Sequence, residues 1–391
     1  MKTRFLATMS HDIRTPLNGI IGMVNMENQY ADDSQIQQKI REKVMESLKY
    51  LVSLVNDVLD MNKLQSGELK DQQILFDLTM VLRELNQIYD ERAAKKGIRY
   101  EIDWKNGTYS HSALVGNPVY LGRILSNIMD NAIKFSQAGS VITVWVKEET
   151  LDDGRAIFTF YCKDQGVGMS EDFIAHVFDM FSQESKTSRS RYEGTGLGLA
   201  ITKQLVDRMD GSIELKSKAG VGTTVIVKIP FKIGTQDKNS NLSDKPVSLD
   251  DYSVEGMRAL VVEDNELNME ISRCILEDSG MEVTCAVDGQ EAVEIFEKSA
   301  PDYFGVIYMD VMMPRMNGLD AARTIREMKR RDARRVPIIA MSANAFAEDI
   351  INSRLAGMNV HLAKPLDAEK MIVALKQCMA DNSDVKLHED L

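Results

Sequence analysis

Between residues 257 and 365 five apolar runs, MRALVVED, MEVTCAVD, FGVIYMDV, VPIIAMSA and NVHLAKP, alternate with helix-patterned stretches. No other feature of the chain restricts its fold so tightly. Near-continuously apolar strands are buried on both faces, and strand–helix alternation of this kind closes as a doubly wound parallel sheet. Such a sheet gathers whatever follows its strands onto one edge. Here that means Glu263 and Asp264 after the first run, Asp310 at the end of the third, Ser342 at the end of the fourth and Lys364 after the fifth. Each acid alone reads as a helix cap, but three converging carboxylates repel one another. They call for a cation such as Mg²⁺, bound by oxygen ligands. An ordinary aspartate, with a pKa of about 3.9, is already ionised at neutral pH. Asp310 is therefore the expected nucleophile for a phosphoryl group, with Lys364 and the cation neutralising the incoming charge and Ser342 bonding one of its oxygens.

The amino-terminal stretch has a different period. Residues 3–30 predict a helix, with Phe5, Met9, Ile13, Pro16, Ile20 and Met23 as an apolar stripe and His11, Thr15, Asn18 and Gly22 on another face. Ile36, Ile40, Val44, Leu48, Leu51, Val55 and Val58 predict a second helix that ends near Ser66–Gly67. Two amphipathic helices cannot bury a stripe alone, so residues 1–68 are expected to form a homodimeric four-helix bundle. His11 has Asp12 beside it to accept from Nδ1–H, which leaves Nε2 as the open lone pair. Thr15, one turn on, can orient a water, and Pro16 removes a helix hydrogen bond just beyond. Roughly three quarters of an unperturbed histidine is neutral at pH 7, so Asp12 is better cast as tautomer-fixer than as strong base.

Residues 75–232 mix helical patterns (Leu78–Ala94, Pro118–Phe135, Ala200–Met209) with strands such as VITVWVKEE, AIFTFYCKD, SIELKSK and TTVIVKIP, which predicts an α/β sandwich on a mixed sheet. Three polar boxes lie in it. Asn127, Asn131 and Lys134 share a helix, where an amide oxygen suits Mg²⁺ and an ammonium suits phosphate. Asp164, Gly166 and Gly168 follow a strand, with Asp164 placed to accept from the exocyclic amine of a base. In GTGLGLAI, Gly194, Thr195, Gly196, Leu197 and Gly198 lead into a helix whose N–H groups can meet phosphates. The polar stretch before it, with Lys186, Arg189 and Arg191, is expected to be a lid. No G-x-x-x-x-G-K-[ST] loop occurs, and the spacing is not that of a dinucleotide fold.

Composition narrows the function classes. A net charge of −12 over 391 residues argues against a nucleic-acid groove. The four cysteines, Cys162, Cys274, Cys285 and Cys378, fall in no metal spacing and read as reduced, buried thiols of a cytosolic protein. No apolar run reaches the roughly 18 residues a membrane span needs.

Taken in order, these boxes resemble those of a hybrid sensor histidine kinase. SHDIRTPLNGI is similar to its phosphoacceptor box; the segments around Asn127, Asp164, Phe178 and Phe181, and Gly194 are similar to its nucleotide boxes. VVEDN, YMDVMMPRMNG, MSA and AKP resemble a response-regulator receiver. The resemblance implies a Bergerat-type ATP-binding fold and ATP with Mg²⁺ as cofactors. It also implies a metal-ligating carbonyl at Met312 and an often-cis peptide before Pro365. The expected domains are residues 1–68 for dimerisation and phosphoacceptance, 75–232 for ATP binding, 233–256 as linker, 257–380 as receiver and 381–391 as a frayed tail.

The implied function is ATP-dependent phosphorylation of His11 followed by transfer to Asp310. A histidine phosphotransfer protein or a separate response regulator is the expected partner, and any membrane anchor is expected upstream of this sequence. A linker of roughly twenty residues spans on the order of 25 Å, giving tethered domains a near-millimolar effective concentration. Two alternatives keep the fold: an ATP-responsive scaffold, and an enzyme acting mainly as a phosphatase through Thr15. Three positions depart from the family pattern: Asn117 where Asp is usual, Glu193 where Gly is frequent, and His361 where Tyr or Phe is common.

Overall fold

A computed structural model describes residues 2–27, 36–45, 47–48, 51, 54–55, 73–183, 196–234, 253–342, 347–364 and 366–389, the side chains of 2–12, 27 and 380–389 excepted. It divides into two compact units, one of Met1–Thr79 with Asn86–Thr235 and the other of Met80–Leu85 with Gln236–Leu391.

In the first unit, helix α1 (Lys2–Glu27) runs through Pro16. Helical backbone follows over 36–45, 47–48, 51 and 54–55. Along these stretches Ile40 and Leu54 are buried, while Leu17, Ile21, Val24, Met45, Leu48 and Val55 are exposed. The expected end of the second helix at Ser66–Gly67 lies outside the described residues.

The nucleotide-type region runs β1 (Ile74–Asp77), α2 (Leu78–Lys95), β2 (Arg99–Ile102), β3 (Ala113–Gly116), α3 (Pro118–Phe135), β4 (Val141–Thr150), β5 (Arg155–Lys163), the short α4 (Glu171–Ile174), α5 (Gly198–Arg208), β6 (Ser212–Lys218) and β7 (Gly222–Ile233). Its sheet order is β1-β3-β7-β5-β4-β2, with β6 also on β7. Only β2 and β4 pair in parallel; the other named pairs are antiparallel. Local chemistry starts the helices. Asp77 caps α2 by accepting from Thr79 N at 2.8 Å. Asn117 caps α3 by accepting from Tyr120 N at 3.1 Å, with Pro118 entering just behind it. Ala156, Phe158 and Phe160 of β5 and Val227, Ile229 and Phe231 of β7 point inward with Leu121 and Ile124 of α3. Fully burying each large apolar side chain is worth about 1.5–3 kcal/mol. The short strands β1, β2 and β3 escape the sequence pattern because four residues carry too little period.

The second unit runs β8 (Arg258–Val262), α6 (Glu266–Asp278), β9 (Glu282–Ala286), α7 (Gly289–Lys298), β10 (Val306–Asp310), α8 (Gly318–Glu327), β11 (Ile338–Ser342), α9 (Ala347–Leu355), β12 (Val360–Ala363) and α10 (Ala368–Glu389). Its five strands are ordered β12-β11-β10-β8-β9 and all pair in parallel. One core, around Leu260, Ile307, Met309 and Ile338, fills one face; another, around Val261, Tyr308, Ile339 and Met371, fills the other. Both faces of β10 and β11 are buried, which is why these runs read as unbroken apolar stretches. Tyr308 lies in this core with its hydroxyl satisfied by donating to the Met371 carbonyl at 3.0 Å.

Three expectations are corrected. Of the four cysteines read as buried, Cys274 is exposed and Cys285 only half-buried. Ile233, read as linker, is strand, paired with Leu114. Helical backbone continues to Glu389, through most of the span read as a frayed tail.

Candidate functional site

In the second unit the register delivers the site. Val262 pairs with Met309, Asp310 with Met341, and Ser342 with Ala363, so Glu263, Asp310, Ser342 and Lys364 arrive at one sheet edge. Glu263, Asp264 and Asp310 each bring a carboxylate oxygen within 4.8 Å of the others. Glu263 and Asp310 are buried, Asp264 exposed. Lys364 reaches across β11 and donates to Glu263 Oε2 at 2.6 Å and to Asp310 Oδ2. Asp310 Oδ1 accepts from Met312 N at 3.0 Å, which folds the loop after β10 back over the acid. Gly318 lets that loop close, because a Cβ there would overlap the Asp310 carbonyl oxygen.

The charges perturb each other in a readable way. Burial pushes the Glu263 carboxyl up, against the pull of its bonds from Lys364 and Asn268. Burial also acts to lower the Lys364 ammonium, but its bonds to Asp310 and Glu263 outweigh that and leave it raised. A carboxylate trio with one ammonium keeps excess negative charge, and an oxygen-only donor set of this size fits Mg²⁺. Asn268, which the sequence reading missed, donates to Glu263 Oε1 at 2.9 Å from the first turn of α6. Its signal was the cap: Asn265 starts α6 and fixes where Asn268 points. Pro365 lies outside the described residues.

In the first unit the candidate nucleotide residues surround the ends of α3, β5 and α5. Asp164 follows β5 and is buried; its Oδ1 accepts from Gly166 N at 2.8 Å and Thr223 N at 3.2 Å. Oδ2 is the oxygen left to accept from a base. Burial raises the Asp164 carboxyl, partly offset by those two backbone bonds. Gly168 adopts φ +66°, where a Cβ would overlap the Lys218 carbonyl oxygen. Gly196 adopts φ +68°, and a Cβ there would sit 2.8 Å from Phe181 Cα. Phe181 N donates to the Gly196 carbonyl at 2.9 Å, tying the phenylalanine box to the second glycine box.

Leu197 is buried at the start of α5, and its side chain makes no cap bond there; the first N–H groups of a helix have no intrahelical partner and suit phosphates. Asn127 Nδ2 donates to the Gly198 carbonyl at 3.2 Å and to Thr202 Oγ1 at 3.3 Å, which locks α3 to the first turn of α5. Asn131 is half-buried on the next turn of α3. The Lys134 ammonium lies 5.1 Å from the centre of the Phe135 ring. Lys96, absent from the sequence reading, donates to the carbonyls of Ile133 at 2.6 Å and Lys134 at 2.9 Å and so closes the C-terminus of α3. Asn117 is buried and acts as a helix cap, which asparagine does as well as aspartate.

Gly194, Thr195 and the lid residues Lys186, Arg189, Arg191 and Glu193 lie outside the described residues. His11 and Asp12 take helical backbone on α1, and their side chains lie outside the description. Thr15 is exposed one turn on. Among the described residues no helix is long and apolar enough to cross a membrane.

Three stretches match known families in order. Residues 1–67 match the His Kinase A (phospho-acceptor) domain, 116–233 the histidine kinase-, DNA gyrase B- and HSP90-like ATPase, and 259–376 the response regulator receiver domain. The chain is 31% identical to the sensory/regulatory protein RpfC of Xanthomonas campestris pv. campestris over 96% of its length and 54% of that protein's. It is 31% identical to the autoinducer 2 sensor kinase/phosphatase LuxQ of Vibrio vulnificus over 95% of its length and 42% of LuxQ. It is 29% identical to the aerobic respiration control sensor protein ArcB of Escherichia coli over 96% of its length and 46% of ArcB. The chain thus spans about half the length of the curated relatives it matches.

Proposed function

Because this chain belongs to the hybrid histidine kinases, with phosphoacceptor, ATPase and receiver domains in that order, we propose that it relays phosphate from ATP through His11 to Asp310. The observation that carries this reading is the receiver edge: Asp310 sits among two further carboxylates with the Lys364 ammonium bonded to it. That arrangement favours taking on a phosphoryl group, whose oxygens need neutralising, over acting as a general base.

The steps follow from the residues. ATP binds with its base amine on Asp164 Oδ2 and its phosphates toward the start of α5, and Lys134 neutralises phosphate charge. Asn131 would hold Mg²⁺ there, as Glu263, Asp264, Asp310 and the Met312 carbonyl would in the receiver. When bound, the ion neutralises phosphoryl oxygens. Asp12 holds the His11 proton on Nδ1, so that Nε2 attacks the γ-phosphorus; the Nε2–P bond forms as the bridging P–O bond to ADP breaks. An Asp310 carboxylate oxygen then attacks the same phosphorus, an O–P bond forms, and the N–P electron pair returns to the imidazole. Lys364 follows the phosphoryl oxygens, and Ser342 donates to one of them. Thr15 positions water for the reverse duty of removing phosphate from a receiver. Residues 1–68 pair two copies of the chain, and a histidine phosphotransfer protein or separate response regulator takes the phosphate onward.

The test is labelling with γ-³²P-ATP and Mg²⁺, followed by acid and base treatment. Phosphohistidine is acid-labile and aspartyl phosphate base-labile. His11→Gln is expected to abolish all label, and Asp310→Asn to remove only the base-labile part. Unlabelled wild-type protein would point to a scaffold. Fast dephosphorylation of a separately phosphorylated receiver, with little autophosphorylation, would point to a phosphatase.

A further inference from the structure

Asp288 is buried, yet it stands outside the carboxylate cluster around Asp310. It follows β9 and opens α7, and its two oxygens are used differently. Oδ1 caps α7 by accepting from Glu291 N at 2.9 Å. Oδ2 meets the Arg315 guanidinium in an ion pair whose aspartate is withdrawn from water and whose arginine is largely exposed. A buried carboxylate is costly unless it is paired and hydrogen-bonded. The cap and the guanidinium supply both.

Arg315 belongs to the loop between β10 and α8, shortly after Asp310. Its φ of +62° is left-handed backbone. A β-carbon makes that conformation unfavourable for arginine, whereas glycine takes it readily. Local preference therefore does not explain the shape of the loop. Contacts from elsewhere in the fold have to hold it.

The start of α7 supplies them on successive residues. Asp288 holds Arg315, and Gly289 N donates to the Met316 carbonyl at 3.1 Å. A Cβ on Gly289 would lie 2.6 Å from that oxygen, so the approach is as close as backbone allows. Toward β10 the loop is fixed to the site itself. Met312 N donates to Asp310 Oδ1 at 3.0 Å, and Gly318 N donates to the Val311 carbonyl at 3.1 Å. The Met312 carbonyl lies on the stretch between these two sets of anchors.

The geometry points to Asp288 and Arg315 as positioning residues for the cation of the receiver. This rests on the reading that Glu263, Asp264, Asp310 and the Met312 carbonyl hold a divalent ion. Neither Asp288 nor Arg315 belongs to that set. Their ion pair ties the loop to α7 and keeps Arg315 in a backbone region that it would otherwise leave. A carbonyl that must first be ordered binds a cation more weakly than one already held, because the ordering has to be supplied on binding.

The test is binding of Mn²⁺, a spectroscopic stand-in for Mg²⁺, to the full chain without nucleotide, with the free ion read by electron paramagnetic resonance. The part of the binding lost in Asp310→Asn is the receiver's. Asp288→Asn and Arg315→Gln are each expected to weaken that part roughly two- to fivefold, the scale of a partly exposed ion pair. Asparagine caps a helix as well as aspartate does, so Asp288→Asn leaves the start of α7 in place. The double variant is expected to bind no more weakly than either single one, as for two residues acting through one contact. Arg315→Lys keeps the charge and is expected to retain most of the affinity. Arg315→Gly separates the ion pair from the backbone, because it removes the charge yet suits the left-handed φ. It is expected to weaken binding as Arg315→Gln does.

Labelling from ³²P-acetyl phosphate in the His11→Gln chain gives a second readout. The variants are expected to be slow at limiting Mg²⁺ and to recover at saturating Mg²⁺, since the pair acts through the ion. Wild-type Mn²⁺ affinity in Arg315→Gly or in both single variants, additive losses in the double variant, or slow labelling that persists at saturating Mg²⁺ would overturn the inference. Absence of Asp310-dependent Mn²⁺ binding in every chain would instead bring down the cation reading of the receiver, and this inference with it.

Discussion

The receiver edge and the nucleotide region are built by opposite means. The receiver edge is made of side chains: Glu263, Asp310 and Lys364 are already bonded to one another and largely withdrawn from water. The nucleotide region is made of side chains that are missing. Gly168 and Gly196 let backbone approach backbone where any Cβ would collide, and α5 begins on a leucine that offers no capping oxygen. A charge-built site holds its geometry through desolvated attraction and is sensitive to losing a charge. A backbone-built site is sensitive to gaining an atom. The two should therefore fail differently.

The largest expected effect is at the receiver. Lys364→Ala leaves two buried carboxylates facing each other, and removing one partner of such a cluster typically costs about 3 kcal/mol. Thermal unfolding without Mg²⁺ should show the receiver transition lowered, and adding Mg²⁺ should restore more stability to the variant than to wild type. The sign with pH follows from the raised Lys364 ammonium. Its contribution is full below the ordinary lysine value of about 10.4 and is lost as pH rises through the raised folded value. An unfolding transition that ignores both the variant and Mg²⁺ would break the comparison on this side.

Adding one methyl group should do to the nucleotide region what deleting a charge does to the receiver. Gly168→Ala forces a side chain into a left-handed backbone against the Lys218 carbonyl. Strain of this kind costs roughly 1–3 kcal/mol. Calorimetric titration with a non-hydrolysable ATP analogue should show at least about tenfold weaker binding, with the receiver transition unmoved. Wild-type affinity in that variant would show that the close approach does not shape the pocket.

The smallest effect sharpens the contrast, because it finds a charge inside the backbone-built region. Asp164 has its carboxyl raised by burial. As pH falls through that raised value it takes up a proton and can no longer accept from the base. Nucleotide affinity should therefore decline at a pH above the roughly 3.9 of an ordinary aspartate. Stability runs the other way, because the folded state holds this proton more tightly than the unfolded chain does. This group favours folding at low pH, and that benefit is lost as pH rises through the window between the unfolded and folded values. Asp164→Asn should flatten the affinity profile; an unchanged profile would assign the acid limb elsewhere.

Much of this architecture was readable from residues alone, for particular reasons. The runs around Val261, Tyr308 and Ile339 announced a parallel sheet because strands buried on both faces cannot carry polar positions. The carboxylates, Ser342 and Lys364 were legible because the edge of such a sheet is fixed by topology. Strands β1, β2 and β3 were not legible, since four residues give no usable period. The lock between Asn127 and Thr202 could not be read either: they are 75 residues apart, and nothing local marks them as partners.

Chain order, the alternation of apolar runs and the placement of acids and glycines after strands were settled by the sequence, since these depend on local propensity and on burial patterns with short periods. Which oxygen of Asp164 is engaged and how Lys364 divides itself between two carboxylates were decided only by the tertiary structure. Those outcomes depend on distances of a few tenths of an ångström between residues far apart in the chain, and one-dimensional spacing holds no record of them.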